Sequence, residues 1–345
     1  MNKKIFVLLF ALIFTVNSTF AQVKKTASVS KKTIPVKKVV SQATQLASLL
    51  PNSDAVLNVQ MSRLMNEGLP QMLSTKPQYL QEINSKIDEI KSNIGIDLRQ
   101  FEQIAVGIAY KTISPKETDY EPVILARGKF NSGAFLGLAK VAAKGKYREE
   151  KIGEKTVYIF TPSEILAENK SNTKDSFINK MIEKAMSSFK KEIAVTSFDD
   201  NTLVMGSMER VRQTFESKER VNQNVLDLAG KNPNAMLSFG ANMPAGASQF
   251  LPIENDELGK NIESINQMYG ALDLKDGKTT LAVSAKTSKA DQAQSLEETL
   301  AGLQMVGKAL LGGSKRADQH LYARVEHNYI VQPILDLLHY MYLKF

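Results

Sequence analysis

Three histidines, His320, His327 and His339, fall within the last 26 residues of this 345-residue chain, and metal binding is the first chemistry such a cluster suggests. On a strand running from 320 to 327 the odd separation turns the two rings to opposite faces, and His339 follows on another element beyond Pro333. No metal site is expected there. Gly277-Lys278-Thr279 has the ending of a phosphate-binding loop, but the glycine required five positions earlier is Leu272. Asp276-Gly277 reads instead as a hairpin turn, and Asp273 with Asp276-Gly277 misses the register of a calcium loop. Ser-x-x-Lys occurs at Ser171/Lys174, Ser187/Lys190 and Ser188/Lys191 without the Ser-Asp-Asn or Lys-Thr-Gly companions of acyl-transfer enzymes, and Gly-x-Ser-x-Gly is absent. The 36 acids are spread along the chain, so an acid/base pair could meet only in three dimensions. No cofactor is expected, and no catalytic residue is nominated.

The charge is more informative. Lysine and arginine exceed the acids by 44 to 36, and residues 1–53 hold eight lysines and no acid, so the remaining chain is neutral. Lys3-Lys4, an apolar run from Ile5 to Val16 and small residues ending at Ala21 form the three parts of a cleavable secretory signal, with the mature chain starting at Gln22. The run is too short to span a bilayer, which takes about 20 residues. A basic surplus confined to the signal and tail of an exported chain does not point to nucleic acid. Cysteine is absent, which excludes disulfides, thiol catalysis and a lipidated N-terminal cysteine. The expected address is the periplasm or the exterior, as a soluble protein and not a lipoprotein.

The tail 22–47 carries Lys24, Lys25, Lys31, Lys32, Lys37 and Lys38 between small and polar residues. It has too little apolar area to offset its ordering entropy and reads as a disordered basic linker. Its lysines are either a solvated spacer or an electrostatic tether to an anionic envelope surface.

The body shows one order of elements used twice. The first copy, 48–161, opens at Pro51-Asn52 before a strand at Ala55–Gln60. Leu80, Ile83, Ile87, Ile90 and Ile94 then form a helical stripe ended by Gly95. Strands at Gln103–Lys111 and Glu121–Phe130, a helix capped by Asn131 and closed by Gly145, and a hairpin at Tyr147–Phe160 turning near Gly153 complete it. The second copy, 232–345, opens at Pro233-Asn234 before Ala235–Ala241. A helix at Asp256–Met268 follows, then a hairpin around Asp276-Gly277, a helix from a capping box at Ser288–Asp291, and a closing strand or hairpin within Leu321–Gln332. Pro333–Phe345 is apolar nearly all round and reads as a terminal helix docked between the halves. Both copies spell β-α-β-β-α-β, so the expected fold is α+β, two ferredoxin-like halves from an internal duplication. Segment 162–231 joins them with an amphipathic helix at Phe177, Met181, Ala185 and Phe189, a hairpin around Asp199-Asp200-Asn201, and a short helix capped by Ser207 that carries Val211 and Phe215.

Leu50-Pro51-Asn52 followed by Ala55–Gln60, and Ile193–Phe198 with Asp199-Asp200-Asn201 and Thr202–Ser207, carry a resemblance. Over most of residues 50–310 the chain resembles signal-bearing bacterial envelope proteins of unknown function, which pair an LPxxA strand with a later DDxTLVxG hairpin. The resemblance implies an exported α+β protein and brings no catalytic residue. The leading expectation is therefore a non-enzymatic envelope binding or scaffold protein, its partner an anionic envelope surface or an envelope protein, with ligand and oligomeric state open. The alternatives are a hydrolase of envelope polymers with unassigned carboxylates, and an inhibitor or assembly factor that offers a strand edge at Ala55–Gln60, Ala235–Ala241 or the terminal hairpin.

Overall fold

The computed structural model describes residues 42–74, 77–114, 117–161, 192–244, 263–275, 278–298 and 329–331. Strands β1 (Ala55–Gln60), β2 (Phe101–Ser114), β3 (Glu117–Gly128), β4 (Tyr147–Ile152), β5 (Lys155–Phe160), β6 (Ile193–Asp199) and β7 (Thr202–Gly206) share a sheet with β8 (Leu237–Asn242), β9 (Ile265–Lys275), β10 (Lys278–Thr287) and β11 (Tyr329–Val331). The sheet order is β11-β10-β9-β8-β1-β2-β3-β7-β6-β5-β4, and every neighbouring pair is antiparallel. The chain is thus an α+β protein with one broad antiparallel sheet.

Apolar residues stand on both faces of the central strands, so helices must cover both. On one face Leu57, Val106, Phe239 and Val283 pack under α1 (61–72) through Leu64 and Met72. The helix at 290–298, here α6, seals the same cluster with Ala293 and Leu296. Further along that face α3 (Ser132–Ala142) packs Leu136 on Phe160, Val195 and Leu203, and α2 (Pro77–Ile94) lies beside α3. The opposite face carries Val56, Ala105, Leu125 and Val204 under α4 (Met208–Glu216) and α5 (Gln223–Ala229). Leu46, Ala47 and Leu50 join this second cluster fully buried.

Local signals sit where the residue chemistry puts them. Asn131 Oδ1 accepts the Ala134 N–H at 2.8 Å and Ser207 Oγ accepts that of Arg210 at 3.3 Å, each capping its helix. Gly145 and Gly153 take φ of 80° and 54°, left-handed backbone that only glycine adopts without strain, where α3 ends and the β4–β5 hairpin turns. Lys275 at the end of β9 pairs with Lys278 at the start of β10, on either side of the Asp276-Gly277 step, which itself lies outside the described residues.

Four expectations need correction. Ferredoxin-like halves would keep β1 and β2 parallel with a strand between them, but β1 pairs directly and antiparallel with β2, Gln60 facing Gln103. The reason is α1, which the periodicity argument passed over. With α1 and α2 both inserted, the excursion 61–100 leaves and re-enters at the same end of the sheet. Second, Ile265 and Met268 lie in β9 and not in a helix. The ladder shifts register between Lys286 and Thr287, where Thr287 faces Ile265 and Lys286 faces Gln267, so β9 carries one extra residue. That bulge brings Ile265 and Met268, three apart, into one core cluster and imitates a helical spacing. Third, Gln42–Gln45 is helical and Leu46 and Ala47 are core, so this part of the segment expected to be a disordered linker belongs to the folded body. Fourth, the bond opening α6 runs from the Lys289 N–H to Gln292 Oε1, while Ser288 Oγ accepts from Asn266 Nδ2. The signal, the tail before residue 42, the helix at 177–189, the helical part of 256–262 and the terminal helix at 333–345 lie outside the described residues.

The β1–β8 pairing has an internal regularity. Pro233 follows Pro51 by 182 residues, and the same offset carries Leu57 onto Phe239, which is its ladder partner. It carries Ala55 onto Leu237, the partner of Val59, and Val59 onto Ala241, the partner of Ala55. A local two-fold through the Leu57–Phe239 pair relates the two strands in register.

Candidate functional site

None of the side chains singled out for chemistry converges on a site. His320, His327, His339, the three Ser-x-x-Lys pairs and Lys24, Lys25, Lys31, Lys32, Lys37 and Lys38 lie outside the described residues. Lys278 and Thr279 sit in the β10 ladder. Asp273 forms an ion pair with Arg63 at 3.2 Å, tying β9 to α1. Among the described residues no group of three His, Cys, Asp or Glu is placed to hold a metal.

The buried polar chemistry lies elsewhere, in the loop before β1. Arg210, in the first turn of α4, is 2 % exposed. Its Nη2 donates to Ser53 Oγ at 2.9 Å and its Nη1 to Gln213 Oε1 at 2.6 Å, while Nε has no protein acceptor. Among the described residues no carboxylate comes within ion-pair reach of it. Burial pushes the guanidinium pKa down, and Glu121, Asp54 and Glu209 oppose that from further off. Ser53 Oγ in turn donates to Pro51 O at 2.8 Å. The arrangement needs a glycine on β2, since a Cβ on Gly107 would lie 2.5 Å from Ser53 Oγ.

The same loop binds its other neighbours. Asp54 Oδ2 accepts the Tyr110 N–H at 2.8 Å, its own N–H donates to Ile108 O at 2.8 Å, and its carbonyl accepts from Asn242 N at 2.8 Å. Val221 N donates to Leu50 O at 3.2 Å, and Pro51 bridges to Arg220. Leu50–Asp54 is therefore a junction that holds β2, β8, α4 and the segment after α4 together. Burial and the Asp54 carboxylate raise the Tyr110 phenol, and burial with the Asp119 carboxylate pushes Tyr120, its cross-strand neighbour, up to about 12. Asp54 is occupied as a backbone acceptor, so the cluster is built to hold elements in place rather than to present a nucleophile.

Asn58, further along β1, is 2 % exposed with neither amide atom paired. It stands opposite Ala105 on β2 and Ser238 on β8. Sequence reasoning missed Arg210 although a signal existed. In α4 the buried positions are 210, 211 and 214, a helical face on which Arg210 and Thr214 accompany the recognised Val211.

Two surfaces bear on partners. Strands β1 and β8, two of the three places where the inhibitor or assembly-factor alternative would need an open edge, are interior, paired on both sides. The edge at β4 carries Arg148, Glu149, Glu150 and Lys151, and Arg148 pairs with Glu150 and, at 2.7 Å, with Glu192, the charged dressing that keeps an edge from adding strands. Helix α3 instead turns Ala134, Gly137, Leu138 and Val141 outward, Val141 at 73 % exposure.

No protein-family model matches the chain, and no curated protein matches it in sequence. Two solved structures are similar to it, crystal forms IV and III of TP0453, at 9 % and 10 % identity and TM-scores of 0.41 and 0.42. They align over 86 % and 83 % of this chain and 95 % and 91 % of theirs. A likeness of that degree assigns no function.

Proposed function

We propose that this chain is an exported, non-enzymatic binding or scaffold protein of the bacterial envelope. The observation that carries the reading is the use made of its buried polar groups. Ser53, Asp54 and Arg210 tie segments more than 150 positions apart into one continuous sheet, which suits a rigid platform. The outward apolar residues of α3 are the surface such a platform would offer to an envelope protein with an apolar patch of its own.

Several finer features belong to this reading. Residues 1–21 serve as the export signal, delivery is to the periplasm or exterior, and the lysines from Lys24 to Lys38 act as a tether or spacer. Units 48–161 and 232–345, read in the sequence as β-α-β-β-α-β twice, descend from one duplicated unit joined by 162–231, a reading supported by the matched openings and by the β1–β8 register. The resemblance to signal-bearing envelope proteins belongs to the same reading. No helix among the described residues is long and apolar enough to cross a membrane.

Co-sedimentation of the mature protein with its own envelope fractions tests the reading. Three proteins are compared at low and high salt: the mature chain, one lacking residues 22–41, and Val141→Glu. Salt-resistant binding that survives the truncation and is lost in V141E is the expected result. Retention in V141E removes α3 as the contact, and no binding by any of the three removes the scaffold reading.

A further inference from the structure

The two ends of the sheet are finished differently. At one end β4 carries the charged run Arg148, Glu149, Glu150 and Lys151. At the other end the last strand, β11, is short and covers only Ser284–Lys286 of β10, although β10 is laddered to β9 from Lys278 to Thr287. Among the described residues no strand lies against the outer side of Lys278–Val283, so alternate backbone N–H and C=O groups there point away from the sheet with no ladder partner. The sequence of this stretch, Lys278-Thr279-Thr280-Leu281-Ala282-Val283, has none of the usual edge protection. It holds no proline and no acid, and its one lysine stands at the far end. Such an uncharged run of strand formers is ready to take another strand.

β11 shows how a strand sits on this edge: antiparallel, with Val331 opposite Ser284 and Tyr329 opposite Lys286. The chain's own sequence is badly suited to prolong it. In the same register the next residue, Gln332, would bring an amide opposite Val283, which is buried in the core cluster. Pro333, with no N–H to donate, would come opposite Ala282.

Opposed residues of an antiparallel pair share a face, so β10 also dictates the pattern of a guest strand. Val283 and Ala285 face the cluster sealed by Ala293 and Leu296 of α6, while Thr280 and Ala282 are exposed on the other face. A guest residue opposite Val283 meets apolar neighbours, and those opposite Ala282 and Thr280 stand toward solvent.

We propose that the outer edge of β10, Lys278–Val283, is a strand-accepting site for an extended, uncharged segment of another protein, in which apolar and polar residues alternate. Backbone hydrogen bonds hold the guest antiparallel to β10, in line with β11, and the alternation selects it. The site is separate from the outward face of α3, which packs on Phe160, Val195 and Leu203 of β5, β6 and β7 toward the opposite end of the sheet.

Hydrogen exchange of the mature protein tests the site, with a probe peptide of three Thr-Val repeats ending in two glutamates. In the free protein the outward amides of 278–283 should exchange fast. With peptide at about ten times its Kd their exchange should slow roughly tenfold, while the amides of β4 stay unchanged. The same peptide methylated on every backbone nitrogen keeps its side chains, loses its donors, and should protect nothing. Slow exchange along this edge before peptide is added, whether this chain or a second copy covers it, overturns the proposal. Protection by the methylated peptide, or none by the unmethylated one, does the same. V141E should respond to the peptide as wild type does, so this site and the α3 contact can fail apart.

Discussion

Arg210 Nη2 and Ser53 Oγ lie 2.9 Å apart inside the protein although 157 positions separate them in the chain. The bond fastens α4 to the loop that enters the central strand, and it is made by a guanidinium that no carboxylate among the described residues contacts directly. A charge held this way is costly to bury and costly to remove in part.

Arg210→Ala should therefore lose about 3 kcal/mol, from the cavity and from the unpaired Ser53 and Gln213 groups. Arg210→Met fills the space without the desolvation cost and should recover most of that loss. Urea unfolding of the two variants beside wild type makes the comparison. Equal losses for Ala and Met would show that the hydrogen bonds, and not the packing, dominate.

Asn58→Val should raise stability by about 1 kcal/mol, because a buried amide with neither atom paired is replaced by a side chain that asks for no partner. Thermal unfolding of the variant beside wild type measures it. A fall in Tm would mean that the Asn58 amide is satisfied in solution.

Gly240→Ala should be among the most damaging single-methyl changes. The new Cβ would meet backbone, Ala229 N at 2.5 Å and Val225 O at 2.7 Å, and neither can move aside as a side-chain end could. A loss of about 2 kcal/mol or more is expected from denaturant midpoints. Gly137→Ala on the outward face of α3, where a Cβ meets nothing within 4 Å, should be neutral or slightly stabilising.

The phenol of Tyr120 gives an alkaline signature. Its pKa rises from 10.0 to about 12 on folding, so the unfolded chain releases the proton first as pH increases. Stability from this group is intact below pH 10 and is lost progressively toward pH 12. Tyr120→Phe should flatten the fall in stability over that window. At the acid end, a hydrogen bond from Lys91, with help from the Arg99 N–H, holds Asp97 below its usual 3.8 against the opposing effect of burial. Its contribution is present above that value and disappears as pH drops through the folded pKa, and Asp97→Asn should remove that part of the acid transition.

How much of this was legible depended on the range of the interaction. Asn131, Ser207, Gly145 and Gly153 act through bonds or dihedrals within a few residues, so their types announced two caps, a helix end and a hairpin. Spacing misled where a tertiary device imitated it, as when the bulge in β9 put Ile265 and Met268 on one face three residues apart. The stretch 61–72 escaped notice because a π turn and Pro70 interrupt its periodicity, and that omission alone turned an antiparallel β1–β2 pair into an expected parallel crossover. Arg210 stood on a readable helical face, but an arginine there is ordinarily taken for solvent.

By itself the sequence determined the α+β composition, the positions of most strands and caps, and the matched openings at Pro51-Asn52 and Pro233-Asn234, because each rests on local conformational preference or on a repeat visible in the chain. Tertiary structure alone decided which strands are neighbours, that β1 and β8 are interior and closed to partners, and that Ser53, Asp54, Asn58 and Arg210 form the polar framework beneath the helices. Strand pairing and burial are settled by contacts between segments far apart in sequence, and the identity of a residue does not record what will be packed against it.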